Sequence, residues 1–214
     1  MSNLRSTVRT TGVAVRAMLV LTLLLGGGYA LVVTGIGQLA FPWQANGSLV
    51  DAQDRPVGGW LGGDRPVGSA LIGQNFTGAD GEALPQYFQP RPSAAGDGYD
   101  PRSSSGSNLG PNNADLVKSI AERRAAIAAR EGVAESAVPA DAVTASASGL
   151  DPQISAAYAL LQVPRVAAAR GMDPADVRAI VESRIQSRDL GFLGENRINV
   201  LELNLALDAQ RPVK

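Results

Sequence analysis

The sequence predicts an α+β protein, with one N-terminal transmembrane helix followed by a single mixed α/β extracytoplasmic domain. Three observations carry this. Residues 17–36 contain no charged residue. Three arginines (Arg5, Arg9 and Arg16) precede that stretch, and the next charge after it is Asp51. Beyond it, short apolar runs bounded by glycine alternate with longer segments that carry helix caps and helical spacing. The chain divides into a cytoplasmic N-terminus (1–16), the spanning helix (17–36), an interfacial linker (37–46) and the soluble domain (47–214).

Twenty residues in an α-helix rise about 30 Å, the thickness of the hydrocarbon core of a bilayer. The centre of the stretch is Leu- and Val-rich, and a helix satisfies its own backbone groups in lipid, so the triplet Gly26-Gly27-Gly28 is tolerable there. The alternative is a cleaved signal peptide, with Ala17–Leu25 as its apolar core and Gly26 and Gly28 before the cut. Apolar residues continue from Tyr29 to Ile36, which a cleaved signal does not need, and the reading is therefore a retained anchor. The positive-inside rule keeps the arginines in the cytoplasm and sends everything after Phe41 across. Thr22, Gly26, Ala30 and Thr34 recur every four residues, a small-residue stripe along which a second helix could approach closely.

Composition removes whole classes of chemistry. The chain has 214 residues, a formal net charge of −1, no Cys and no His. The charge gives no reason to expect nucleic acid as a partner. Without Cys, an extracytoplasmic domain must be held by packing alone. Without His, Ser-His or Cys-His catalysis and ordinary zinc sites are excluded. Carboxylate, hydroxyl, Lys and Arg chemistry remain.

Trp43, next to Phe41 and Pro42, suits the membrane interface. Ser48–Val50 and Ala70–Ile72 read as brief strands, joined by a loop containing a duplicated pentapeptide, Asp54–Gly58 and Asp64–Gly68. Tyr87–Ser93, with alternating prolines, reads as an extended surface segment. Ser103–Pro111 reads as a structural turn; a Gly/Ser loop before a helix could also cradle an anion, but it lacks the Lys of a P-loop. Asn113 caps a helix over 114–130 that stops at Gly132, with Leu116, Val117, Ile120 and Ile127 inward and Lys118, Arg123, Arg124 and Arg130 on a solvated face. Asp151-Pro152 and Asp173-Pro174 each read as a helix start, the first helix breaking near Val163 because of Pro164 and the second burying Val177, Ile180, Val181 and Ile185. Leu201–Leu207 alternates at period two, which predicts a strand, with a terminal helix from Val200 as the alternative.

Several long motifs in this order resemble a known family. They are Asn46–Leu49, Gly68–Gln74, Tyr87–Ala94, Ser105–Pro111, Thr144–Pro152, Gln162–Ala167 and Asn199–Asp208. The chain is similar over nearly its whole length to the small C subunit of the Kdp-type potassium-transporting ATPase. The resemblance implies a single-pass protein of the bacterial inner membrane. It implies a channel-like subunit that selects potassium, a P-type ATPase subunit and a very small single-helix subunit as partners, besides membrane lipid. It also implies a non-catalytic role as a chaperone that raises the ATPase subunit's affinity for ATP, with no cofactor of its own; ATP and potassium are handled by the complex. Ser148-Gly149-Leu150 with Gln162 downstream is loosely similar to the signature loop of ABC ATPases. The candidates for partner or nucleotide coupling are accordingly Ser148, Gly149, Asp151, Gln162 and Arg165, the last two flanking Pro164. Where the family reads Asp-Pro-His-Ile-Ser, this chain has Gln153, and the duplicated pentapeptide lengthens a loop. A membrane-anchored envelope hydrolase or binding module is the alternative, although no Ser has an evident base in the sequence. A domain sent outside cannot touch cytoplasmic ATP directly.

The orientation is open to a direct check. A reporter active only outside the cytoplasm, fused after Lys214, is expected to be active, and one that works only inside to be silent. The opposite pattern would reverse the topology and readmit direct contact with ATP.

Overall fold

The computed structural model describes residues 2–58 and 65–212. The chain begins with a continuous helical rod. It comprises α1 (Ser2–Leu21), a π-helical stretch (Thr22–Tyr29) and α2 (Ala30–Ala40), with right-handed helical backbone at both junctions. The rod therefore extends at both ends past the uncharged stretch 17–36. The candidate membrane span within it, Ser6–Ala40, has 35 residues, or about 52 Å as an α-helix, more than a bilayer core needs. The large apolar side chains from Val8 to Leu39 are 49–84 % exposed. Among the described residues, no part of the domain buries them. A helix apolar all round and bare of protein is built for lipid or for other helices.

The rod turns into the domain within a few residues. α3 (Pro42–Ala45) starts with proline at its first turn. Asn46 Nδ2 donates to Gln38 Oε1 at 3.0 Å and to the Pro42 carbonyl at 2.6 Å, which ties the turn to the end of the rod. Trp43 Nε1 donates to the Leu49 carbonyl at 2.8 Å. Its ring packs against Val50, Ala70, Leu201 and Leu205, so this residue anchors the domain as well as suiting an interface. β1 (Leu49–Val50) pairs antiparallel with β2 (Gly68–Ser69), Leu49 opposite Ser69. The second strand thus lies two residues before the expected Ala70–Ile72, which form a turn closed by a Ser69–Ile72 bridge. In the first pentapeptide copy Asp54 pairs with Arg184 at 2.6 Å. Asp64, the first residue of the second copy, is outside the described residues.

α4 (Ala114–Glu131) is capped by Asn113, whose side chain accepts from Asp115 N and Leu116 N, and ends at Gly132 with φ 68°. Ile127 is buried, but Val117 is 57 % exposed. α5 (Ala140–Val143) leads to β3 (Gln153–Ser155). Here the expected helix start is corrected. Asp151 uses its carboxylate on Gln153 N and Arg91, and the chain stays extended for three residues. Ser155 is the true cap of α6 (Ala156–Arg170), and its own N–H and hydroxyl both donate to the Asp141 carboxylate at 2.8 Å. The expected break at Pro164 is also absent. The proline ring faces solvent, where the carbonyl it leaves unpaired can be hydrated, while buried Val163, Val166 and Ala167 hold the helix to the core. α7 (Pro174–Ser183) is capped by Asp173 as expected and buries Val177, Ile180 and Val181.

β4 (Arg197–Asn199) pairs antiparallel with β3, and the last helix α8 (Val200–Gln210) follows directly, capped by Asn199. The strand expected at 201–207 is a helix, and its leucine alternation has a plain cause. Residues two apart in a helix point about 200° apart. Val200, Leu203 and Leu207 therefore enter the main core, and Leu201 and Leu205 enter the smaller cluster with Val50 and Ala70 on the opposite side.

The segment 85–92 runs irregularly through the middle of the domain. Phe88 is 0 % and Gln89 5 % exposed, so the expectation of a surface segment fails here. A buried irregular chain must find partners for its backbone groups. Asn204 of α8 accepts from Phe88 N (2.9 Å) and donates to Phe88 O (3.0 Å). Gln162 of α6 accepts from Gln89 N (2.8 Å) and donates to Gln89 O (3.2 Å). Two buried carboxamides thus stand in for strand neighbours.

Candidate functional site

The π-helical stretch changes the geometry of the stripe. Residues advance about 100° in an α-helix but only about 82° in a π-helix. Along an α-helix, Thr22, Gly26, Ala30 and Thr34 would drift across about 120° of the surface. With π geometry from Thr22 to Tyr29, they stay within roughly 65°. All four are exposed, and apart from the helix's own backbone nothing among the described residues lies within 4 Å of the place where a Cβ on Gly26 would sit. The structure brings this candidate face together.

Gln162 and Arg165 are also brought together, but inside the domain. Arg165 Nη2 donates to Gln162 Oε1 at 2.7 Å. Its Nη1 donates to the carbonyls of Pro85 (2.6 Å) and Tyr87 (3.0 Å), and its Nε to both Glu131 oxygens at 3.1 and 2.9 Å. The Glu131 side chain is fully buried between Arg165 and Arg130. Arg130 in turn donates to the Tyr158 hydroxyl at 3.1 Å, so it belongs to this network and leaves the expected solvated face. Burial lowers the Arg165 pKa against the pull of Glu131, and burial raises the Tyr158 phenol. Arg170 completes the set. Its side chain is 1 % exposed, it donates to Gln86 O at 2.7 Å, and it pairs with Asp208 at 2.8 Å. Four side chains from two helices therefore hold residues 85–89. Asn204, Glu131 and Arg170 were not singled out in the sequence. The signal was there for Asn204, a carboxamide between two leucines in a mostly apolar run.

Ser148, Gly149 and Asp151 form a second junction further along the same segment. Ser105 N and Ser104 Oγ both donate to the Ser148 carbonyl at 2.9 Å, and Ser93 Oγ donates to the Gly149 carbonyl at 2.7 Å. Gly149 has φ 69°, and a Cβ there would come within 2.6 Å of Ser105 O. Asp151 pairs with Arg91 at 2.9 Å. The Tyr99 hydroxyl bridges the Arg91 and Asp151 carbonyls, and burial raises its pKa. The Ser103–Pro111 loop thus joins this junction as a structural turn. Among the described residues no hydrogen bond links Ser148, Gly149 or Asp151 to Gln162. The two halves of the loose signature-loop likeness therefore sit in separate junctions.

Two open clefts flank these junctions. One, of about 480 Å³, lies between Arg91, Asp141, Asp151, Gln153, Glu195 and Arg197. The other, of about 420 Å³, is lined by Arg91, Arg123, Arg130 and Tyr158 with Glu82 and Asp97. Both mix charges of either sign. Among the described residues no group of three or more acidic side chains is arranged to hold a metal ion.

One exposed helix long and apolar enough to cross a membrane, joined to a domain that ties its buried irregular segment with its own side chains, is the architecture of a protein with a single candidate membrane span. Comparison with known proteins gives the family. The family model described as K+-transporting ATPase, c chain, matches residues 11–209. The chain is 52 % identical over 198 residues to the potassium-transporting ATPase KdpC subunit of Beijerinckia indica subsp. indica, covering 92 % of each chain. It is 52 % identical over 200 residues to that of Caulobacter vibrioides, covering 93 % of this chain and 92 % of the relative. It is 50 % identical over 196 residues to that of Mycobacterium tuberculosis, covering 91 % and 95 %. The chain belongs to the KdpC family of potassium-transporting ATPase subunits.

Arg165→Ala would strand part of the Glu131 charge and leave the Pro85 and Tyr87 carbonyls unpaired. Breaking such a buried pair costs about 3 kcal/mol. Urea unfolding of the full chain in detergent is expected to show that loss. An unchanged midpoint would mean that Arg165 is not a structural tie.

Proposed function

We propose that this chain is an accessory, non-catalytic subunit of a high-affinity, ATP-driven potassium uptake complex of the bacterial inner membrane. Its N-terminus lies in the cytoplasm and its domain outside. Its partners are a potassium-selecting channel-like subunit, a P-type ATPase subunit and a very small single-helix subunit. The stripe of Thr22, Gly26, Ala30 and Thr34 is its contact within the membrane. The observation that carries the reading is the bare apolar rod fused to a tightly tied domain, in a chain of the KdpC family: the rod calls for a membrane and favours a helix partner.

The subunit raises the complex's affinity for ATP by binding its conformations unequally. A distant domain can alter an affinity only through such a difference in binding free energy. A tenfold change needs about 1.4 kcal/mol, within reach of a few interface contacts. Ser148, Gly149, Asp151, Gln162 and Arg165 serve this coupling indirectly, by holding the docking domain in one shape.

The test compares the ATP dependence of potassium-stimulated hydrolysis by the purified complex with and without this subunit. The apparent ATP affinity is expected to fall when the subunit is removed, while the full chain alone in detergent binds ATP no more tightly than roughly millimolar. Gly26→Leu or Ala30→Leu is expected to release the chain from its partners while leaving it inserted. Micromolar ATP binding by the chain alone would contradict the coupling account, and normal co-purification of both variants would remove the stripe as the contact.

A further inference from the structure

Between α7 and β4 the chain makes a narrow hairpin whose tip is apolar. Gln186 and Arg197 exchange backbone hydrogen bonds at 2.8 and 3.0 Å, as do Asp189 and Leu193 at 2.9 Å. Arg197 pairs with Asp189 along one side at 3.2 Å. At the tip, Leu190 is 82 %, Phe192 70 % and Leu193 49 % exposed. Leu190 has φ 54°, a conformation that costs a branched side chain and is kept only where the surroundings impose it. Phe192 and Leu193 are exposed beside it, and none of the three joins either hydrophobic cluster of the domain.

Resting on the reading of this chain as a subunit of a membrane complex, we propose that the Leu190–Leu193 tip docks into an apolar pocket on the extracytoplasmic face of the membrane-embedded partner subunit. Three observations favour a protein pocket over a lipid surface. The hairpin 186–197 carries Arg188 and Arg197 against Asp189 and Glu195, so it lacks the basic excess that draws a segment to anionic lipid. Its base forms one wall of the charged cleft with Arg91, Asp141 and Asp151. An apolar centre beside a polar rim of both signs is the anatomy of a protein interface. Both ends of the hairpin are also tied to the part of the domain next to the membrane. Arg184 pairs with Asp54 in the β1–β2 loop, and Asn199 Nδ2 donates to the Ala70 carbonyl, in the cluster that holds Trp43. Asn199 lies seven positions after Phe192, at most about 25 Å of chain. The tip is therefore tethered to the cluster where the anchoring rod enters the domain.

A photo-crosslinking residue in place of Phe192, in the full chain within native membranes, tests this. The expected product joins this chain to a membrane-embedded partner subunit. The double substitution Leu190→Gly and Phe192→Ser, which keeps the turn and removes the apolar surface, is expected to lower the yield of detergent-stable complex roughly tenfold with the unfolding midpoint of the chain not lowered. Crosslinks only to lipid, only to a second copy, or to nothing would overturn the docking, as would normal complex yield from the double variant. A wild-type chain that co-purifies with no partner would overturn the proposed function and this inference together, whereas co-purification without a tip crosslink would overturn the inference alone.

Discussion

The fold depends on hydrogen bonds made by side chains to a buried backbone. Residues 85–89 cross the domain without a neighbouring strand, and an unpaired amide or carbonyl there would cost about 1–3 kcal/mol each. Asn204 and Gln162 each satisfy both backbone groups of one residue, and Arg165 and Arg170 take the carbonyls of Pro85, Tyr87 and Gln86. Because the donors come from α6 and α8, the segment fastens those helices to each other. The same charges explain the buried Glu131, which has two arginines as partners and could not be accommodated alone.

That tie reaches the membrane through α8. One face of α8 fills the main core, and the other, through Leu201 and Leu205, meets the cluster under Trp43. Trp43 and Asn46 then fasten the domain to the end of the rod. A subunit built this way presents its partners with a helix and a domain connected by short, hydrogen-bonded structure. In the account proposed above, energy of docking on the outside can then bias the conformation of helices in the membrane.

Much of this was legible in the residues. The uncharged stretch, Asn113 and Gly132 around α4, and Asp173-Pro174 at α7 are signals of local physics, and each took the form it predicts. The errors arose where tertiary contacts overrode a local rule. Asp151-Pro152 looks like a helix start, but Arg91, sixty residues away in sequence, and Gln153 N claim the carboxylate. The Leu201–Leu207 alternation obeys period two only because two cores lie on opposite sides of one helix. Pro164 is harmless because its ring faces solvent. The prolines around Tyr87–Ser93 fit a chain that is neither helix nor strand, and they said nothing of its depth. The candidate residues Gln162 and Arg165 carried a visible polar signal beside Pro164. Their partner, the backbone of 85–89, has no signature in sequence, since every residue has the same N–H and C=O.

Hydrogen exchange at the Phe88 and Gln89 amides tests the central claim most directly. If Asn204 and Gln162 hold this segment as described, both amides exchange only when the whole domain unfolds, at the same rate as the most protected amides of α6 and α8. Rapid exchange at Phe88 and Gln89 while α6 and α8 stay protected would show that the segment opens independently, and that the fold does not depend on this clasp.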